Sequence, residues 1–433
     1  MLYLGDFKKI EVVMKKIKCF SLLLFIIFTS QYIKSQTGWV QQYSGTTNKI
    51  NNIYFPDVNT GYACADSGLF LKTTNSGLNW IVYNTGFLLP LRSVRFFNSS
   101  VGIIASNKLI RTTDGGVNWY MARDSVFAFD LYVLNSSVGY IAGGNIPTRT
   151  NNLKTTNAGE NWIDMTQLSS GQSAVYFINE NTGYVGWYMS TASYWGSLGI
   201  SKTVNGGLNW ITQHEELAYH GICKIYDVFF PSINTGFAVG YNYTAYKLFK
   251  TYNGGTNWIA DPFAETYSVY FANVFTGWIC GKDGIIEKTT NSGQSWFILP
   301  TQFSSNYNSV YFVDYNTGWI AGDNGIILKT TTGGIVPVEP ISTEIPNAFS
   351  LSQNYPNPFN PSTMIKFDLP KHSFTNLVIY DILGCNTAVL VNMELEPGSY
   401  AVDWDAGKYP SGIYFYRIQT DNYIVTKKML HIK

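Results

Sequence analysis

Carboxylates come first, because two of them at a set separation are enough to hydrolyse a glycosidic bond. The chain offers Glu215, Glu216, Asp227, Glu265 and Asp283, and spacing alone brings no two of them together. The adjacent Glu215 and Glu216 read as part of a solvated loop. His214 and His220 have neither helical nor metal-ligand spacing and read as surface histidines. No phosphate loop, nucleophile elbow or HExxH motif occurs. The expectation is therefore no catalytic residue, no metal and no cofactor.

Aromatic residues give a different chemistry, that of recognition. WYMSTASYWGSLGI (187–200), GYNYTAYK (240–247) and GGNIPTRTNN (143–152) stand where shorter repeats of the chain turn tightly. Tyr188, Tyr194, Trp195, Tyr241, Tyr243 and Tyr246, with His220 beside them, form a candidate ligand patch. Exposed rings on a rigid scaffold suit a glycan or a protein. The alternative is that they pack on one another as a lid.

The elements that position these residues follow from composition and periodicity. Of 433 residues only 13% are charged, while 16% are aromatic and 39 are glycine. That excludes disorder and a helical bundle, and favours short strands joined by tight turns. The net charge of +1, without a long basic run, argues against a nucleic-acid partner.

From Met14 the sequence MKKIKCFSLLLFIIFTSQYIKSQ has a basic start and an apolar run too short to span a bilayer. Residues 1–35 are read as a signal peptide, with Met14 as the start and cleavage near residues 35–36, leaving no transmembrane span in the mature chain. Cys19 leaves with it. Cys64 and Cys280 hold the same place in two repeats and read as small buried hydrophobes, not as a disulfide framework or zinc site.

A box recurs roughly every 40 residues: TTNSGLNW, TTDGGVNW, TTNAGENW, TVNGGLNW, TYNGGTNW and TTNSGQSW. Its Asx residues are Asn75, Asp114, Asn157, Asn205, Asn253 and Asn291, and its tryptophans are Trp80, Trp119, Trp162, Trp210, Trp258 and Trp296. A second landmark, from IYFPDVNTGY (53–62) to VYFVDYNTGW (310–319), occurs seven times. The first unit reads as strands at 52–55, 61–65, 69–73 and 80–83. Four short strands repeated in this way predict a seven-bladed β-propeller over residues 36–336. The seventh box fails, with Pro337 at the tryptophan position. TGWVQQ (37–42) supplies Trp39 at the right interval, so the N-terminal segment is expected to complete the last blade and close the ring.

Each box reads as a hairpin device. The Asx side chain accepts backbone N–H groups, the glycine allows positive φ, and the tryptophan packs between blades. The box resembles the Asp-box of bacterial neuraminidases, which implies a structural role away from any active site. The whole repeat, TGY/TGW followed by GxxGxxxKTTxxGxxW, resembles the photosystem II stability/assembly factor repeat, which implies a seven-bladed propeller and says little about function. A sialidase would need three converging arginines, yet Arg92, Arg95, Arg111, Arg123 and Arg149 all lie in the first three units, and Arg111 belongs to a box lead-in. The cation before each box (Lys72, Arg111, Lys154, Lys202, Lys250, Lys288 and Lys329) reads as solvating a strand end, the alternative being a ring of charge.

Residues 337–350 are proline-rich and read as a linker. Beyond them, NYPNPFNPST, LVIYDILG and SGIYFYRI predict a small Ig-like sandwich over 351–433. This block resembles the type A C-terminal sorting domain of the type IX secretion system. The resemblance implies passage through the outer membrane of a Bacteroidota-like bacterium, and release or attachment at the cell surface. The sequence as a whole reads as an exported, non-catalytic propeller for ligand binding, adhesion or scaffolding. The alternative is a carbohydrate-active enzyme on the same frame.

Overall fold

The computed structural model describes residues 38–433 except 146–148, 151, 166–169, 191–194, 220–222, 336, 337, 339, 343 and 408. The expected signal segment, residues 1–35, lies outside the described residues.

Seven antiparallel four-stranded sheets succeed one another along the chain; blade 3 adds a short strand, Arg149–Thr150. Blade 1 is Ile50–Tyr54, Gly61–Ala65, Leu69–Thr73 and Ile81–Asn84. The innermost strands of blades 2 to 6 are Ser93–Phe96, Ala128–Val133, Gly171–Phe177, Lys224–Phe229 and Thr266–Phe271. Blade 7 takes Tyr307–Phe312, Gly318–Gly322 and Ile327–Gly334, and its outer strand is Gly38–Gln42. Val40 pairs with Lys329 and Gln41 with Leu328, so the two ends of the propeller meet in one sheet. Each innermost strand lies against those of the blades before and after it, and that of blade 1 meets that of blade 7. The fold is thus all-β, a closed ring of seven blades.

The landmark sequences explain how the blades adhere. The phenylalanine ending an innermost strand lies flat on the second-strand aromatic of the preceding blade. Phe96 stacks on Tyr62 at 3.8 Å, Phe177 on Tyr140 at 3.4 Å, Phe312 on Trp278 at 3.5 Å and Phe55 on Trp319 at 3.5 Å. The glycine of each TGY or TGW sits beneath such a ring. A Cβ on Gly183 would fall 2.5 Å from Phe177, and one on Gly318 2.4 Å from Phe312. Trp39, Trp80, Trp119, Trp210, Trp258 and Trp296 meet a phenylalanine edge-on, with centroids 5.0 to 6.0 Å apart. Trp162 instead packs on the aliphatic cluster of Ile103, Leu131 and Leu153.

The box turns repeat one geometry. The Thr112 hydroxyl takes the Gly116 N–H at 3.0 Å, and Asp114 takes those of Val117 and Asn118 at 3.0 and 2.9 Å. These backbone donors, that of Asn118 foremost, hold the Asp114 carboxyl down at about 2. Asn75, Asn157, Asn205, Asn253 and Asn291 each take the N–H four residues on in the same way. The lead-in cations neither merely solvate strand ends nor stand as a free ring. Lys72, Arg111, Lys202 and Lys288 donate to carbonyls of the next blade's turn, at Gly115, Ala158, Gly254 and Gly333. Lys154 and Lys329 lie over Tyr140 and Trp319, and Lys250 pairs with Asp261 at 2.6 Å. Lys72, Arg111, Lys202 and Lys288 thus staple neighbouring blades together, whereas these contacts of Lys154, Lys250 and Lys329 stay within one blade; a lysine stem can cover an aromatic face while its ammonium reaches beyond it.

The C-terminal region is a sandwich of two four-stranded sheets around Phe367, Leu377, Trp404 and Tyr416. The expected linker 337–350 needs correction. Pro340–Ser342 is an edge strand of the sandwich, pairing at Pro340 with Tyr400. The sandwich also packs on blade 6. Val378 and Val389 share a buried cluster with Phe297 and Leu299, so Phe297 is covered where Ile81, Ile163, Ile211 and Ile259 of other blades are exposed.

Candidate functional site

An innermost strand shows alternate side chains to the axis, with period 2. In six of the seven blades a bulge interrupts that alternation near the strand start, for example between Ile50 and Asn52 and between Ile225 and Asp227. One extra residue on the bulged strand brings two consecutive side chains to the axis. The result is a layered cavity of about 640 Å³ lined by all seven innermost strands.

The middle layer is a belt joining blade to blade. Asn52 accepts the Val94 N–H of blade 2, and Asp130 the Val175 N–H of blade 4. Asp227 accepts that of Val269, Ser268 that of Val310, and Ser309 that of Ile53. Ser93 donates to Asp130 at 3.2 Å and Ser268 to Asp227 at 2.9 Å. Burial, followed by the charge of Asp130, pushes Asp227 up to about 7; burial also raises Asp130.

Below the belt is a collar formed by the middle residue of each landmark. Tyr54, Tyr311, Tyr270, Phe229, Tyr176 and Tyr132 follow one another with centroids 4.8 to 5.4 Å apart. Arg95 fills the seventh place, over Tyr54 at 5.2 Å and donating to Asn52 at 2.7 Å.

Above the belt is the mouth, on the face of the second-to-third strand connections. Phe129 has the Arg92 guanidinium 4.8 Å from its ring and the Lys224 ammonium at 5.1 Å; Lys224 is also 5.4 Å from Tyr226. Arg92 donates to the Ala128 carbonyl at 3.1 Å, and Lys224 makes no hydrogen bond or ion pair among the described residues. Burial, then repulsion from Arg92, pushes Lys224 down to about 8. Beyond Tyr226, Tyr267 and Lys282 both donate to Glu265, at 2.6 and 3.0 Å.

The predicted aromatic residues sort around this mouth. Tyr188 meets Phe129 edge-on at 6.4 Å. Tyr246 bonds with Glu265 and lies beside Tyr226, with Tyr241 against its ring at 4.6 Å. The Tyr241 hydroxyl donates to the carbonyl of Tyr243, an exposed residue with φ 72°. Tyr194 and His220 lie outside the described residues, and Trp195 opens a strand of blade 4 whose backbone alone is described there.

Glu215, Glu216 and His214 are not in a solvated loop. They belong to Ile211–Tyr219, one of three extended strands that raise blade 4 above the mouth. Glu216 accepts from Lys247 at 2.7 Å and from Asn242 at 2.7 Å, tying that wall to blade 5. Burial opposes the charge on Glu216, but these donors hold its carboxyl below the usual range. His214 is half-buried against Phe249, 3.4 Å from Glu216. Arg92, Phe129, Lys224 and Tyr226 were not singled out as ligand-binding by sequence. The signal that points to Arg92, Phe129 and Tyr226 is the pair of residues preceding each landmark's first aliphatic residue; Lys224 lies two residues before that pair and carries no such mark.

Residues 353–433 match the family described as the secretion system C-terminal sorting domain. Such a domain marks export by the type IX machinery to the cell surface or the extracellular space. No helix among the described residues is long and apolar enough to cross a membrane. No curated protein matches the chain. Among solved structures, YCF48 bound to D1 peptide is 17% identical with a TM-score of 0.53, covering 68% of this chain and 97% of its own. YCF48 from Cyanidioschyzon merolae is 16% identical with a TM-score of 0.51, covering 67% and 98%. At such identities the likeness speaks for architecture alone. The chain is thus a type IX-exported seven-bladed β-propeller of the fold seen in YCF48, ending in a secretion-system C-terminal sorting domain.

Proposed function

We propose that the propeller is a non-catalytic binding module, acting outside the cell, whose ligand sits at the channel mouth. The observation that carries this reading is the half-buried Lys224, held against two aromatic rings with no hydrogen bond or close ion pair among the described residues and only the through-space charge of Asp130 to offset it. A buried charge without a partner is costly, and a ligand that supplies one recovers that cost. The blade-4 wall and the rings of Tyr188, Tyr241 and Tyr246 extend the surface beside it. The opposite face is occupied with the box turns and their staples. A propeller of this fold is known with a peptide bound, in YCF48.

The rival reading, a carbohydrate-active enzyme, draws on Asp130 and Asp227, two carboxylates lining one cavity. Against it, both carboxylates accept backbone N–H groups at blade junctions, which suits fixed structural acceptors. The test is a glycan array and pull-down with the full chain and its Tyr226→Ala and Asp227→Asn variants. Binding lost in Tyr226→Ala, with no glycan cleaved by the wild type, supports the binding module. Glycan cleavage that disappears in Asp227→Asn overturns it.

A further inference from the structure

We propose that the mouth is an anion site for an acidic saccharide, with Arg92 and Lys224 taking a uronate carboxylate or sulfate ester beside Phe129. The inference rests on the binding-module reading and names its ligand class.

Both cations line the cavity, and neither has a carboxylate within ion-pair distance among the described residues; Asp130 acts on Lys224, and Asp66 on Arg92, only through space. Elsewhere in the propeller cations near carboxylates are paired: Lys247 with Glu216, Lys282 with Glu265, Lys250 with Asp261. Asp130, the carboxylate in the layer below, is already engaged by Ser93 and by two backbone N–H groups. Phe129, between the two cations, keeps water from them on one side. That strengthens any charge-assisted bond they make to a bound anion.

The remaining lining favours a saccharide over an acidic peptide. Asn51 and Asn308 commit their amide N–H groups to the Leu91 and Ile50 carbonyls and to Asp66 and Asp323. Their carbonyl oxygens accept no bond among the described residues, so the mouth offers acceptors suited to ligand hydroxyls. Tyr226 and Tyr267 supply ring surface of the kind sugar faces stack on.

The experiment measures the affinity of the full chain for polygalacturonate, chondroitin sulfate, neutral dextran and poly-glutamate. It compares wild type with Lys224→Gln, Arg92→Gln and, as a control on the distant sandwich surface, Lys428→Gln. Removing a charged partner from such a bond weakens binding roughly tenfold or more. The expected result is tighter binding of one or both acidic saccharides than of dextran or poly-glutamate. That binding falls roughly tenfold in Lys224→Gln and is unchanged in Lys428→Gln. Polygalacturonate binding without chondroitin sulfate binding assigns a carboxylate, and the converse a sulfate. Since Arg92 also bonds the Ala128 carbonyl, Arg92→Gln counts only if its melting temperature matches wild type; Lys224→Gln stands without it. Acidic-saccharide binding indifferent to Lys224→Gln overturns the site. Tighter poly-glutamate binding overturns the ligand class. A neutral ligand lost in Tyr226→Ala but kept in Lys224→Gln also overturns the anion site, while leaving the binding module standing. Binding of no ligand by any variant overturns both.

Discussion

Replacing Gly183 by alanine probes how tightly the blades are wedged. The new methyl would lie 2.5 Å from the Phe177 ring, well inside van der Waals contact. Phe177 is fully buried, and its ring stacks on Tyr140 of blade 3 at 3.4 Å, so it has no room to withdraw. Overpacking a core typically costs about 1–3 kcal/mol, and a ring clamped between a strand and a neighbouring blade puts this site near about 3. For a propeller of about 300 residues that corresponds to a fall in melting temperature of about 5 °C. Gly86→Ala is the matched control: its φ is 82°, yet nothing lies within 4 Å of the added Cβ. It isolates the left-handed backbone cost of about 1–2 kcal/mol. Combining Gly183→Ala with Phe177→Leu, which frees ring volume, is expected to cost less than the sum of the two changes. Thermal unfolding of the full chain, followed by tryptophan fluorescence, reads all of them. If Gly183→Ala proves no worse than Gly86→Ala, or the double variant is simply additive, the wedged-ring account of blade adhesion is wrong.

Other outcomes follow from the same geometry. Asp114→Asn is expected to be near neutral around pH 7, because asparagine performs the same acceptor role in five sister turns, whereas Asp114→Ala costs about 1–2 kcal/mol; melting temperatures check both. The folded carboxyl is held at about 2, below its unfolded value. Its contribution is therefore full above about pH 4 and fades as pH falls towards 2, so from near equality at pH 7 wild type should drop below Asp114→Asn there in an acid melting series. Trp39→Ala empties a fully buried site at the ring closure and should cost about 3–5 kcal/mol, read as the fall in melting temperature. Lys224 loses its proton near pH 8, so anion affinity should hold below that and decline as pH rises through it. In Lys224→Arg the decline should vanish, since arginine stays charged, and a calorimetric pH series distinguishes the two.

The repeated architecture was legible because each sequence signal has a local cause. TGY and TGW carry the glycine on which a phenylalanine ring lies, and the box carries the threonine and Asx acceptors of its own hairpin. The failed box at Pro337 and the stray Trp39 were enough to read the joint closure. The channel was less legible, because the bulge that turns Asn51 or Tyr226 to the axis leaves no mark on hydrophobic alternation. The belt residue changes among Asn, Ser and Asp, since any short acceptor serves. Glu216 was misread for a related reason. In a segment rich in polar residues only the pairing of strands 195–203 and 211–219 shows that the sheet continues. The collar, by contrast, stood in plain view as the central letter of each VYF-like triplet.

The seam in blade 7 has a consequence for the order of events in the cell. Gly38–Gln42 can find its place only once Ile327–Gly334 exists, so its pairing spans nearly the whole length of the propeller. Contacts so remote in sequence form late, since the entropy of joining distant segments must be met first. A chain delivered vectorially, amino end first, therefore travels with its final sector unlatched. Resistance to proteases is then expected to rise late, when tail meets head.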